Sequence, residues 1–243
     1  MQQQTGTSPN LLVLTLYIIG VSYVFNLMVE SIDEQIKFTY DKASVDKQLK
    51  EQELDDKISI TFKLKASNDI QGKNDVKDLL LILGNKSDNV AVYVDWDNCS
   101  LAEKHKNVSR RIIRKSPDVS RDLAVPQSPS LIAPNQTLVQ SLAAEDVFTR
   151  DQETGTYQAT KALIDIAGLK GSPNRAFRKL YKQFISRRKE IEFSLQLVLR
   201  FSEVRVGLVP GQNIPPMSII TCPFIIRKLP WSYALPWNKK RAS

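Results

Sequence analysis

Asp95 and Asp97 flank Trp96 in the stretch VDWDN. On a strand, residues i and i+2 share a face, which would hold the two carboxylates roughly 7 Å apart at about 3.3 Å per residue. Carboxylates at such a separation could serve as acid and base in glycoside hydrolysis. With the Asn98 amide they could also offer oxygen ligands to calcium. Asp and Asn equally favour turns, because their side chains bond their own backbone. A solvated strand face running into an Asx-rich turn is the reading adopted.

Other chemistry is thinly supplied. His105, the sole histidine, sits among charges in EKHKN. A Ser-His-Asp triad would have to use it, but no G-x-S-x-G surrounds any serine, so it reads as a loop residue. Neither G-x-x-x-x-G-K-[ST] nor G-x-G-x-x-G occurs. Cys99 and Cys222 fall in or beside apolar runs and read as core thiols; in an oxidising compartment they could instead form one bridge. With one histidine beside them the usual four-ligand zinc set cannot be filled. N-x-[ST] triplets at Asn85, Asn98, Asn107 and Asn135 read as turn chemistry. The expectation is a protein that is not an enzyme, with no catalytic residue, cofactor or metal.

The elements behind these residues begin with an apolar run. Residues 11–29, LLVLTLYIIGVSYVFNLMV, carry no charge and as a helix would span about 28 Å, close to a bilayer's hydrocarbon core. A cleaved signal peptide would need a basic n-region and a small-residue cleavage site; MQQQTGTSPN and VESIDEQ supply neither. The run reads as a retained transmembrane helix behind a tail at 1–10. Lys37, Lys42, Lys47 and Lys50 follow it and no Lys or Arg precedes it. The positive-inside rule therefore places the bulk of the chain on the cytoplasmic side, N-out and C-in, with a periplasmic or lumenal placement as the alternative. Residues 30–57 alternate in charge without an apolar stripe and read as a polar spacer.

From Ile58 onward the period is two. ISITFKLK, LLLILGNKSDNVAVYVDWD, NQTLVQSL, IEFSLQLVLRF and SIITCPFIIRKL alternate or run apolar between Asn, Gly, Pro and Ser turns. Residues 58–229 are thus expected to form a mainly β domain, an antiparallel Ig-like sandwich. A helical insertion at about 157–189 interrupts it. There Phe177, Leu180, Tyr181, Phe184 and Ile185 recur at i, i+3, i+4, i+7 and i+8, and Leu163, Ile166 and Leu169 mark a second helix with its apolar side inward.

The chain carries 34 Lys and Arg against 26 Asp and Glu in 243 residues, a net charge of +8, which favours an anionic neighbour. One basic group is Arg110, Arg111, Arg114 and Lys115. A larger one surrounds the amphipathic helix: Arg175, Arg178, Lys179, Lys182, Arg187, Arg188 and Lys189. A packed helix with a solvated basic face accounts for the latter, and contact with anionic lipid is its rival. Nucleic acid is disfavoured, since no RRM, KH or helix-turn-helix signature is present. In the tail, 230–243, Trp231, Tyr233 and Trp237 precede Lys239, Lys240 and Arg241. Its tryptophans could cover an open end of the sandwich, enter the membrane interface or dock a membrane-protein partner.

The run NKSDNVAVYVDWDNCSL, followed by SRRIIRK and IAPNQTL, resembles uncharacterised bacterial envelope and lipoprotein sandwiches, and cyanobacterial membrane proteins of unknown function look similar. The likeness covers residues 58–140 and the last strand pair and implies no catalytic residue. No lipobox cysteine follows the apolar run, so lipid anchoring does not carry over; the lipoprotein members face outward, against the charge-based orientation. The expected function is a single-pass, membrane-anchored, non-enzymatic interaction, scaffold or assembly module. The alternative is an envelope-facing domain that binds a saccharide or other ligand.

Overall fold

The computed structural model describes residues 9–32, 35–65, 67–70, 76–115, 123, 125–203 and 217–234. Along the chain come α1 (Pro9–Ile32), β1 (Gln35–Tyr40), α2 (Lys42–Glu51), β2 (Ile58–Lys63), β3 (Asn68–Asp69), β4 (Leu79–Asn85) and β5 (Val90–Val94). Next are β6 (Ser100–Glu103), β7 (Val108–Arg114), β8 (Ser130–Ile132), β9 (Thr137–Ala144), β10 (Phe148–Arg150) and β11 (Tyr157–Ala159). The short α3 (Gly168–Gly171), α4 (Arg175–Ile185), β12 (Ile191–Glu203) and β13 (Met217–Lys228) complete the set, with 3-10 turns at Trp96–Asn98, Glu145–Val147 and Trp231–Ala234.

Alternation writes the core. In β12, Ile191, Phe193, Leu195, Leu197, Leu199 and Phe201 are buried, and in β13 Ile220, Cys222, Phe224 and Ile226 face the same interior. Eleven strands join in one antiparallel sheet in the order β2-β4-β9-β7-β6-β12-β13-β1-β3, with β5 pairing β12 and β8 pairing β5. β7 links the two halves: its first residues pair with β6 and Ile112–Arg114 pair with β9. Strand twist curls the sheet until edge strand β2 meets β1, where the Tyr40 hydroxyl donates to the Ile60 carbonyl at 3.2 Å. Phe62 stands edge-on to Tyr40 and Phe224, each at 4.9 Å, and Phe193 stacks on Phe224 at 4.8 Å. The result is mainly β and antiparallel, as the periodicity requires, but it is one nearly closed sheet.

Residues 30–57 do not form a spacer over their described length. β1 pairs with β13 along Ile36↔Lys228 to Tyr40↔Phe224, and Ile36, Phe38, Val45 and Leu49 are core residues. The insertion is also less helical than its periodicity suggests. β11 occupies its start, and Leu163 and Ile166 are buried in a non-helical segment ahead of α3. α4 matches its apolar pattern, burying Leu180 and Phe184.

α2 protects the edge that β1 leaves open. β1 stops opposite Phe224, and beyond that point the Gln48 amide acts as a strand: its Nε2 donates to the Thr221 carbonyl at 2.7 Å and its Oε1 accepts the Thr221 N–H at 2.9 Å. Gln52 Nε2 donates to Ile219 O at 3.2 Å. Pro223 lies between: its carbonyl accepts the Asp41 N–H, and with no N–H to return the bond the ladder with β1 ends there. Gln48→Ala strips both partners from Thr221 and is expected to cost about 1–2 kcal/mol, read as a lower urea midpoint. Gln52→Ala loses one exposed bond and should shift the midpoint far less; equal shifts would refute the edge-pairing role.

Candidate functional site

The two aspartates do not share a strand face. β5 ends at Val94, and Trp96–Asn98 form a 3-10 turn. Trp96 keeps the burial its alternation implies. Asp95 Oδ2 accepts from Arg200 Nη2 at 2.7 Å and from Asn98 Nδ2 at 3.0 Å. Asp97 accepts from Arg111 Nη2 at 2.5 Å and from the Gln127 N–H at 3.0 Å. Burial pushes the Asp97 carboxyl upward, but Arg111 and Gln127 outweigh it and hold the group below its ordinary range. Each carboxylate is thus bound by its own arginine, and the two are not paired with each other. The turn is as expected, and its carboxylates, 14% and 32% exposed, are ion-paired as well. Among the described residues no three His, Cys, Asp or Glu side chains gather to hold a metal ion.

Both cysteines are free and buried. Burial pushes the Cys99 thiol up to about 12 and raises Cys222 as well. Asn107 and Asn135 adopt left-handed φ of 53° and 59°, which Asn tolerates better than most residues. The buried Asn85 donates to the carbonyls of Val90, Ile132 and Ala133.

A second group of charges gathers around the β6–β7 turn that holds His105. Alternation in β6 that buries Leu101 also buries Glu103. Arg110, one strand over, brings Nη2 to 2.6 Å from Glu103 Oε1, and its Nη1 makes a two-pronged bond to Asp146 at 3.0 and 3.1 Å. Lys106 Nζ approaches Glu103 Oε2 to 2.9 Å, without the alignment of a hydrogen bond. His105 is a turn residue, as expected, but a buried one: its side chain is 8% exposed, with Nε2 3.4 Å from Glu103 Oε2, and its ring stands edge-on to Phe177 at 6.4 Å. Neither ring nitrogen has a hydrogen-bond partner. A cavity of about 460 Å³ opens beside the group, lined by Lys106, Arg110, Asp146, Thr160, Lys161 and Asp165. A shallower groove of about 580 Å³ crosses β6, β12 and β13 near Lys104, Ser194 and Ile225.

Burial holds the His105 imidazole below its ordinary 6.5. Glu103 opposes that shift, whereas Lys106, Arg110 and Lys189 add to it. The unfolded chain therefore takes up the proton first, so stability present above about pH 6.5 is lost as pH falls toward the folded value. The melting temperature is expected to drop from about pH 7.5 to about 5.5, and His105→Phe should flatten that part of the profile. An unchanged slope in the variant would assign it elsewhere.

The basic residues expected at a surface are exposed: Arg178, Lys179 and Lys182 on α4, and Arg187 and Arg188 in the turn after it. Arg178 also donates to the carbonyls of Ser172 and Pro173. In the tail, Tyr233 is buried. Trp231 begins the last 3-10 turn, which packs against α1. Trp237, Lys239, Lys240 and Arg241 lie outside the described residues. The buried Glu103–Arg110 pair is the feature that sequence reading missed; its signal was an acid at the inward position of an alternating strand.

Fold and site define a class: a mainly β, antiparallel, nearly closed sheet with a basic helix across it and arginine-bound carboxylates. The chain matches no known protein family and no curated protein. A solved structure, titled as a protein from Archaeoglobus fulgidus, is similar over 68% of this chain and 92% of its own, at 8% identity and a TM-score of 0.24. So low a score bears on neither fold nor function.

Proposed function

We propose that this chain is a single-pass, membrane-anchored, non-enzymatic interaction or assembly module. One observation carries the reading. α1 is a helix of 24 residues whose large apolar side chains from Leu11 to Phe25, and at Met28, are each 50% or more exposed. So long an apolar rod with so much of its surface exposed is costly in water and at ease in lipid. Among the described residues no helix is long and apolar enough to cross a membrane. In the sequence the uncharged run extends from Leu11 to Val29, the length a crossing needs. The non-enzymatic part of the reading is supported by Asp95 and Asp97, each occupied by an arginine. The 580 Å³ groove favours the second reading, an envelope-facing ligand-binding domain.

The anchor is tested by an alkaline carbonate wash of membranes carrying the full chain. Retention in the pellet, with release by detergent alone, is expected. Release of the intact chain into the supernatant would refute the anchor.

A further inference from the structure

We propose that the β domain stands end-on on the bilayer, with the basic face of α4 and the turn after it seated on anionic lipid head groups. This rests on the anchor reading and adds to it an orientation and a lipid chemistry.

Strand register shows which end of the domain lies nearest the anchor. β1 begins at Gln35, three residues after α1 ends at Ile32, a reach of at most about 11 Å. Ile36 pairs with Lys228, Ile226 with Ile191, and Phe193 with Glu103, which itself pairs with Val108. The start of β1, the end of β13, the start of β12 and the β6–β7 turn therefore share one end. The Leu229 N–H bonds the Gln35 carbonyl there, and the Trp231–Ala234 turn meets α1.

α4 lies across that same end. Its Phe177 meets His105 in the β6–β7 turn, it packs against β13, and residues 186–190 lead directly into Ile191. With its apolar side occupied, the helix turns outward Arg175, Arg178, Lys179 and Lys182, and Arg188 and Lys189 follow; all six are exposed. α4 contains no acidic residue. Most of the acids nearby are ion-paired: Glu190 with Arg227 at 2.7 Å, Glu192 with Lys104 at 2.6 Å, and Glu103 and Asp146 with Arg110, while Asp165 accepts the Gly168 N–H.

Charge at the opposite end has the other sign. Lys86 N–H bonds Lys57 O, and Val90 pairs with Glu203, twelve residues and about 40 Å along β12 from Ile191. There Glu53, Asp55, Asp56 and Asp88 are exposed beside Lys57 and Lys86. A domain that is basic near its anchor and acidic away from it is attracted and oriented by an anionic leaflet.

The test uses the full chain in vesicles of phosphatidylcholine, with or without phosphatidylglycerol. Single thiols are introduced as Ser186→Cys near α4 and Asn89→Cys at the far end, each carrying a fluorophore; native Cys99 and Cys222 are buried. A head-group quencher lipid should darken the Ser186 position in phosphatidylglycerol vesicles and leave Asn89 bright. Each well-placed cation contributes about fivefold to such binding, so neutral vesicles or raised salt should abolish most of the quenching. The Lys179→Glu, Lys182→Glu, Arg188→Glu variant should do the same. Equal quenching in neutral and anionic vesicles, or a bright Ser186 position on protein that still floats with vesicles, would overturn the docking; the bright case would assign the basic face to another partner. Failure to float with any vesicle would remove the anchor itself, and the docking with it.

Discussion

Arg110→Met is expected to cost about 3–5 kcal/mol of unfolding free energy. Glu103 is only 2% exposed, and Arg110 holds its Oε1 at 2.6 Å. Removing the guanidinium leaves a carboxylate in the core with Lys106 on its other oxygen and nothing aligned on Oε1. The Leu163 carbonyl loses its donor in the same step. Asp146 is 60% exposed, so it rehydrates at little cost and is not the source of the loss. The double variant Glu103→Leu, Arg110→Met removes both charges and should recover most of the stability, because a buried pair is often replaced by apolar groups without penalty. Urea unfolding of the four proteins in mild detergent closes the cycle. A single-variant loss under about 1 kcal/mol would mean that water reaches Glu103 and that the pair is not structural.

Long-period order was legible and short or non-local order was not. β12 buries every second residue from Ile191 to Phe201, with Val198 buried in addition, a run long enough that a strand fits it best. β1 has six residues, two of them charged or amide and only Ile36 and Phe38 fully buried. α2 shows the core only Val45 and Leu49. Segments so short and polar look like a tether in sequence, and their identity comes from β13, nearly two hundred residues away. Asp95 and Asp97 were legible as turn formers, but their arginine partners at 200 and 111 were not. His105 was legible as a loop residue but its burial was not, because the Phe177 ring and Arg110 that close over it come from elsewhere in the chain. The amphipathic face of α4 could be read directly, but the end of the sheet that it covers depends on register that no local pattern encodes.

Trp96→Ala should destabilise the domain by about 3–5 kcal/mol. Its indole is fully buried at the place where β5 gives way to β6 along β12. The break is held at both flanks by one residue: Asp95 N–H donates to the Val198 carbonyl at 2.9 Å, and Val198 N–H donates to Cys99 Sγ at 3.4 Å. Between them the Trp96 Nε1–H donates to Ser130 Oγ at 2.9 Å, an oxygen that also accepts from Arg114 Nη1 at 3.0 Å. The Arg114 guanidinium lies 5.7 Å from the ring centroid. Alanine would open a cavity too large to collapse without moving three strands, and it would release β8, which carries Ser130 and, among the described residues, pairs with β5 alone. Trp96→Phe refills most of the volume and forfeits the hydrogen bond and part of the cation–π contact, for a loss of about 1–2 kcal/mol. Hydrogen exchange distinguishes this role from general core filling. In the phenylalanine variant the Leu131 and Ile132 amides of β8 should lose protection before those of β13. Uniform loss along both strands would show that Trp96 only fills space and does not fix the break between β5 and β6.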